Sequence, residues 1–171
     1  MARLAWSKGL AETRPITPAD LPRLLAFINE MAVFERMTTA ATEETLYEAF
    51  FTDPPAAIAE LVLVDDVAVG YVIYFFTFGS MTGRRGLWLD DLYVAPSQRG
   101  RGLGRALMRY LAGVAVRHQC ARFEWMVLDW NERALALYHS LGARVLDDHR
   151  VCRLDEAGLA ALAAGSSAAH Q

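Results

Sequence analysis

The sequence predicts a single α/β (α+β) domain: a mixed, mostly antiparallel sheet of about six or seven strands, with about four helices on its two faces. Three observations lead there. Apolar runs alternate in type along the chain in the order β α α β β β α β α β β. Ala57–Val64, Val67–Phe78 and Leu87–Val94 read as consecutive strands of a meander, the first two joined by a turn at Asp65-Asp66. From Leu87 to Leu111 the chain reads strand, glycine-rich turn, helix, and another strand follows at Arg122–Leu128, which makes a parallel βαβ unit.

The elements follow in order. Residues 1–9 read as a loose leader, 10–156 as the domain and 157–171 as an alanine-rich helix fading into a polar tail. Leu10–Ile16 suits a short edge strand, with Pro15 near its end. Thr17-Pro18-Ala19-Asp20 is a helix start, with Thr17 at N-cap, Pro18 at N1 and Asp20 at N3. The helix after it carries Leu21, Leu24, Leu25, Ile28, Met31 and Ala32 as one apolar stripe. A second short helix starts at Thr42 and is closed off by Asp53-Pro54-Pro55. Gly79–Gly86 is expected as a loop, and the third helix spans about Gly102 to Arg117. Asp129-Trp130-Asn131-Glu132 opens a fourth helix with a variant capping box, and Gly142 ends it. Ala143–Leu146 and Arg150–Leu154 are expected as terminal strands.

Composition narrows the function. With 171 residues, 54% hydrophobic content and four Trp, the chain is long and apolar enough for a core. No apolar run reaches the ~18–20 residues that cross a bilayer. MARLAWSKGL holds no long apolar segment, so no signal peptide is expected and a soluble, cytoplasmic protein is the reading. Cys120 and Cys152 lie far apart, without CxxC spacing or a neighbouring His pair, and His118, His139, His149 and His170 are scattered. No metal is assigned. A net charge of −3 argues against nucleic acid as a partner, the basic stretch at 99–105 being a local exception.

That stretch, Arg99-Gly100-Arg101-Gly102-Leu103-Gly104 with Arg105 after it, is where a ligand is expected. Strand, glycine turn and helix aim backbone N–H groups and a helix N-terminus at one place, which suits phosphate. A P-loop would need GxxxxGK[ST], which is lacking. A dinucleotide fingerprint fails at its third glycine, since Arg105 and Leu107 occupy the two candidate positions.

The loop resembles the [QR]-x-x-G-x-[GA] motif of the GNAT superfamily of N-acetyltransferases. LDDLYVAPSQRGRGLG, WNERALALYHSLGA and VGYVIYFFTF are similar to its diamine (spermidine/spermine-type) branch, over roughly residues 10–155. The resemblance implies acetyl-CoA as cosubstrate, a primary amine as acceptor, direct attack in a ternary complex and a homodimer. It implies that the amides of Arg99 to Gly104, with the arginine side chains, hold the pyrophosphate. Backbone groups of Leu92, Tyr93 and Val94 would bind the pantetheine arm like an added strand.

Acetyl transfer also needs the amine neutral and the sulfur protonated as it leaves. An alkylamine with a pKa near ~10 is mostly charged at pH 7, and a tyrosine with a pKa near ~10 is a matched donor to a thiolate. Tyr138, seven residues after Asn131 and on the same side of the fourth helix, is the candidate acid by this resemblance; by spacing alone it is equally a core tyrosine. Asn131 is a helix cap, a cofactor contact or both. Asp90 and Asp91 stand inside the apolar strand LWLDDLYV, where burial without a role is costly. Adjacent strand residues face opposite sides, so both reach one cleft only if a bulge intervenes. One of them paired with an arginine at a sheet edge is the plain alternative. The resemblance places a base at Asp90, acting through a water, and cation binding at Asp91; which of the two is the base stays open. Trp88 and Trp130 read as packing.

The polyamine branch carries acidic residues in the loop before the central strand, whereas here that loop, Gly79–Gly86, has Arg84 and Arg85 and no carboxylate. Such a loop repels a polycation and attracts an amine bearing its own carboxylate or phosphate. The expectation is therefore the primary amine of a small molecule, a diamine or polyamine or an amino-acid-like amine, with the amino-acid-like amine favoured over spermidine. A protein or peptide acceptor, or a non-catalytic acyl-CoA-binding domain, are the alternatives.

Overall fold

A computed structural model describes residues 1–6 and 9–165. It groups them into two compact units, residues 1–135 and the chain from Ala136 on. In the first unit the elements run β1 (Ala2–Trp6), β2 (Gly9–Pro15), α1 (Leu21–Glu35), α2 (Glu43–Phe51), β3 (Ile58–Val64), β4 (Val67–Gly79), β5 (Arg84–Val94), α3 (Leu103–Arg117) and β6 (Arg122–Trp125). They build one six-stranded sheet in the order β1-β2-β3-β4-β5-β6, antiparallel except for the parallel β5–β6 pair.

Local chemistry explains most of the elements. At the start of α1 the Thr17 N–H and hydroxyl both donate to Asp20, and Arg14 grips the same carboxylate through two 2.7 Å bonds. That pair holds the Asp20 carboxyl far below the usual carboxylate range. The Thr42 hydroxyl accepts from the Thr45 N–H, and α2 begins there. Asp65 and Asp66, at φ 51° and 61°, form the two-residue turn between β3 and β4, positive φ at both positions being one of the two turn conformations that match the strand twist.

Alternation sorts the sheet residues onto two faces. Ala59, Leu61, Tyr71, Ile73 and Tyr93 pack with Leu21, Leu24 and Phe27 of α1 and Leu46 of α2. On the opposite face the buried Glu60 accepts hydrogen bonds from Tyr74 and from Tyr110 of α3, each at 2.9 Å. There α3 buries Leu103, Leu107, Leu111 and Val114, one apolar stripe at helical spacing.

Several sequence expectations are corrected. The expected leader is a strand: β1 pairs with β2, Leu4 is buried and Arg3 pairs with Glu12 across the ladder, although Ser7 and Lys8 lie outside the described residues. The Leu10–Ile16 strand is consequently interior, between β1 and β3, and β1 takes the edge. The loop at 79–86 shrinks to residues 80–83, because Arg84, Arg85 and Gly86 pair with Gly79, Phe78 and Thr77 as part of β5. β6 stops at Trp125 rather than Leu128.

The helix α4 (Glu132–Ser140) runs from the first unit into the second, and α5 (Glu156–Ala163) belongs to the second. The N-cap of α4 is Asn131, not Asp129: Asn131 Oδ1 accepts from the Ala134 N–H at 3.2 Å. Gly142, at φ 85°, follows the helix as expected. Residues 143–146 and 150–154 form no strand. These segments are short and almost wholly exposed, Val145, Leu146, Val151 and Leu154 included, and are separated by the charged run Asp147-Asp148-His149-Arg150. The expected C-terminal helix begins at Glu156, capped by Asp155, and ends at Ala163; residues 166–171 lie outside the described residues. Among the described residues no helix is long and apolar enough to cross a membrane.

Candidate active site

The site is built on the second half of β5. The β5–β6 ladder covers only Gly86 to Leu89, paired with Arg122 to Trp125, so from Asp90 onward β5 has no ladder partner on that side. On its other side it pairs with β4 through Val94↔Gly70, Tyr93↔Tyr71, Leu92↔Val72 and Ile73↔Asp91. The Ala95 N–H donates to the Val69 carbonyl, which fixes the phase of the ladder. By antiparallel alternation Tyr93 and Asp91 turn their backbone groups toward β4, whereas Leu92 and Val94 turn theirs to the open edge. Of the three expected backbone stations, Leu92 and Val94 thus face the open edge, although the Val94 carbonyl already accepts from Arg99 Nε. Tyr93 contributes its side chain instead.

The register slips between Ile73 and Tyr74, which pair with Asp91 and Leu89 and leave Asp90 as the extra residue of a bulge. The bulge is the device by which two adjacent carboxylates escape strict alternation. Asp90 is exposed and Asp91 half-buried on the α1 face. Tyr71 Oη donates to Asp91 Oδ2 at 3.1 Å, with Met31 Sδ 3.5 Å from the same hydroxyl. Burial, and then the charge of Asp90, push the Asp91 carboxyl up to about 6, against a smaller pull downward from the Tyr71 bond.

The last two turns of α1 overlie this stretch. Tyr93 Oη donates to Glu30 at 2.6 Å, and Phe27 packs on both Tyr71 and Tyr93. Burial raises the Glu35 carboxyl, whose charge is felt by Asp91 and Tyr71. Four carboxyl groups therefore gather around the second half of β5: Asp90, Asp91, Glu30 and Glu35. Glu30 and Glu35 are not singled out by sequence. On α1 they read as solvated positions beside the apolar stripe, and their signal emerges only when that helix is laid over β5.

The glycine loop adjoins the open edge. Gly100 and Gly102 hold φ 76° and 89°, a region that side-chain-bearing residues rarely adopt, and Gly102 is the N-cap of α3. The N–H groups of Leu103, Gly104 and Arg105 open α3, where no preceding turn can accept them. Arg99 is engaged within the fold: its Nε donates to the Val94 carbonyl at 2.7 Å, and its guanidinium lies over Phe34 at 4.7 Å and Tyr93 at 5.4 Å. Arg101 bonds Gln98 Oε1 at 3.1 Å, and Arg105 is half-buried at the start of α3.

Asn131 caps α4 in the first unit. In the second unit Tyr138 is half-buried near the end of α4, and its carbonyl accepts from Leu141 at 3.0 Å and Ala143 at 3.1 Å. Trp130 is exposed, with its ring 5.7 Å from that of Phe34 and the Arg36 guanidinium 5.5 Å above it.

Arg84 and Arg85 do not join this site. They stand seven and six residues from Asp91 along β5, roughly 20–23 Å at about 3.3 Å per residue. Arg84 donates to the Gln119 carbonyl, and Arg85 lies over Phe76. Arg84 and Arg85 therefore do not set the charge at Asp90 and Asp91, contrary to the sequence expectation.

Comparison with known proteins identifies the family. Residues 22–143 match the model of the acetyltransferase (GNAT) family. The chain is 34% identical over 145 residues to a thialysine N-epsilon-acetyltransferase of Sus scrofa, covering 79% of this chain and 85% of that protein. It is 27% identical over 196 residues to the L-ornithine N5-acetyltransferase of Arabidopsis thaliana, covering 87% and 86%. An integron cassette protein from the mobile metagenome of V. cholerae superposes with a TM-score of 0.75 at 27% identity, over 90% of this chain and 97% of that one.

Proposed function

Because the chain belongs to the acetyltransferase (GNAT) family, we propose that it transfers the acetyl group of acetyl-CoA to the terminal amine of a small, amino-acid-like diamine. The observation that carries the reading is the acidic end of β5, Asp90 and Asp91 on a bulge beside an unpaired strand edge. The named activities of the thialysine and ornithine relatives favour an amine of that size and kind.

The residues present suit acetyl-CoA. Leu92 and Val94 offer backbone groups at the open edge for a pantetheine arm laid down as a further strand. The amides from Arg99 to Gly104 and the start of α3 form a cradle for pyrophosphate, supported by Arg101 and Arg105. Acetyl-CoA supplies the acetyl thioester. Asp91, with Glu35 behind it, attracts the ammonium form of the substrate, and Asp90 accepts the proton released from the amine through a water. Tyr138 gives the proton that the departing sulfur takes up, and Asn131 contacts the cofactor while capping α4. A cytoplasmic homodimer is the assembly we propose, on the family resemblance alone.

The test is release of free CoA across an amine panel. L-thialysine, L-ornithine and L-lysine should each be acetylated with higher kcat/KM than spermidine. Spermidine turned over at least as efficiently as these amino acids would refute the substrate class, and no CoA release with any amine would refute the activity.

A further inference from the structure

The acidic end of the site explains how an ammonium is drawn in but leaves the other end of an amino acid unaccounted for. A carboxylate brought near Asp90, Asp91, Glu30 and Glu35 is repelled unless a cation receives it. Arg84 and Arg85 lie roughly 20 Å away along β5. Arg99 is engaged with the Val94 carbonyl and two aromatic rings. Arg36 is placed differently.

Arg36 is the C-cap of α1, at φ 59° and ψ 36°. Helices that end in this left-handed conformation usually do so on glycine, because a Cβ is disfavoured there. An arginine at such a position is a poor choice for the backbone and is explained by its side chain. That side chain reaches back over the Trp130 ring, which itself packs on Phe34. Stacking on an aromatic face restrains a guanidinium while leaving its N–H edge directed outward, the geometry that bidentate carboxylate binding uses. The charge of the neighbouring Glu35 is felt at Asp91. The end of α1 thus presents a carboxylate toward the amine position and a guanidinium beside it.

We infer that Arg36 is the specificity-determining residue that binds the α-carboxylate of the acceptor, while the terminal amine of the same molecule lies at Asp91. The inference rests on the amino-acid-like acceptor proposed above.

The probe is a pair of substrates differing only in the carboxylate: L-lysine against cadaverine, and L-ornithine against putrescine. The readout is the ratio of kcat/KM within each pair, in the wild type and in the variants Arg36→Gly and Arg36→Gln. Loss of a charge-assisted hydrogen bond should lower the amino-acid-to-diamine ratio by about tenfold or more in both variants, with KM for acetyl-CoA unchanged. Arg36→Gly suits the left-handed backbone, so its melting temperature should be no lower than that of the wild type, which separates a lost contact from a lost fold. A ratio that stays the same, whether both substrates fall together or neither does, overturns the assignment to Arg36. So does a variant whose only change is a raised KM for acetyl-CoA. A wild type that acetylates diamines and not amino acids overturns the substrate reading and this inference with it. An active wild type with an unchanged ratio in the variants overturns this inference alone.

Discussion

Tyr71 Oη donates to Asp91 Oδ2 at 3.1 Å, joining diagonal neighbours of the β4–β5 ladder on the face covered by α1. The bond opposes, without cancelling, the two larger influences on how this half-buried carboxyl titrates. Burial favours the neutral acid, Asp90 adds like-charge repulsion, and the tyrosine hydroxyl favours the carboxylate. With the Asp91 carboxyl at about 6, the free enzyme gains its cation-binding charge as the pH rises through that value. The profile of kcat/KM against pH should therefore show an acid limb near 6. Tyr71→Phe removes the one contact that favours the charged form, so the limb should move to higher pH. A limb in the same place in both proteins would separate Asp91 from amine binding.

The same group affects stability with a definite sign. The Asp91 carboxyl is raised from 3.8 to about 6, so the folded state holds a proton there that the unfolded state has given up. Its contribution to stability is full below pH 3.8 and is lost as the pH rises through about 6. At pH 7.5 the folded chain carries a disfavoured charge worth up to ~3 kcal/mol. Asp91→Asn keeps an acceptor for Tyr71 without that charge. It should stabilise the protein at pH 7.5 by roughly 1–3 kcal/mol, leave it nearly unchanged at pH 4, and lower kcat/KM for amines. Urea unfolding at the two pH values checks this; a pH-independent effect would contradict it.

The course of the chain was legible where one residue type forces one geometry. Thr17, Thr42 and Gly142 stand at helix ends as their chemistry demands, and the glycine loop leads from β5 into α3. Legibility failed where pairing depends on distant residues. The five residues of β1 alternate around the buried Leu4, but so short a pattern becomes a strand only because β2 is there to pair with it. Arg84 and Arg85 look like loop residues because of the glycines around them, yet the ladder with Phe78 and Gly79 absorbs them and carries them away from the site. Asp90 and Asp91 were visible as a costly pair. The bulge that breaks their strict alternation, and the overlay of Glu30 and Glu35 from α1, are consequences of register and helix packing that no local window contains.

Tyr138 carries the acid role in the proposed reaction, and its phenol is all that distinguishes it from phenylalanine. Tyr138→Phe should lower kcat by about 10²-fold or more, the usual scale for removing a positioned acid. The Kd for CoA, measured by calorimetry, should change little. Undiminished turnover would assign the tyrosine to packing.

Gly70 makes the open edge of β5 testable through the backbone. A Cβ on Gly70 would lie 2.2 Å from the Tyr93 carbonyl oxygen and 3.2 Å from Val94 Cα, both main-chain atoms that cannot rotate aside. Gly86, in the same pair of strands, would meet the Thr77 hydroxyl at 2.5 Å and the Arg122 side chain at 3.2 Å, atoms that side-chain rotation can move. Gly70→Ala must therefore push β5 away from β4 where Leu92 and Val94 face the open edge, whereas Gly86→Ala shifts side chains at the opposite end of the strand. Overpacking of this kind costs roughly 1–3 kcal/mol, and the larger share should fall on Gly70→Ala. If the cosubstrate lies along the open edge of β5 as proposed, Gly70→Ala should also raise KM for acetyl-CoA severalfold, while Gly86→Ala leaves it near the wild-type value. Equal effects of the two substitutions on KM would mean that the cosubstrate does not use the open edge of β5.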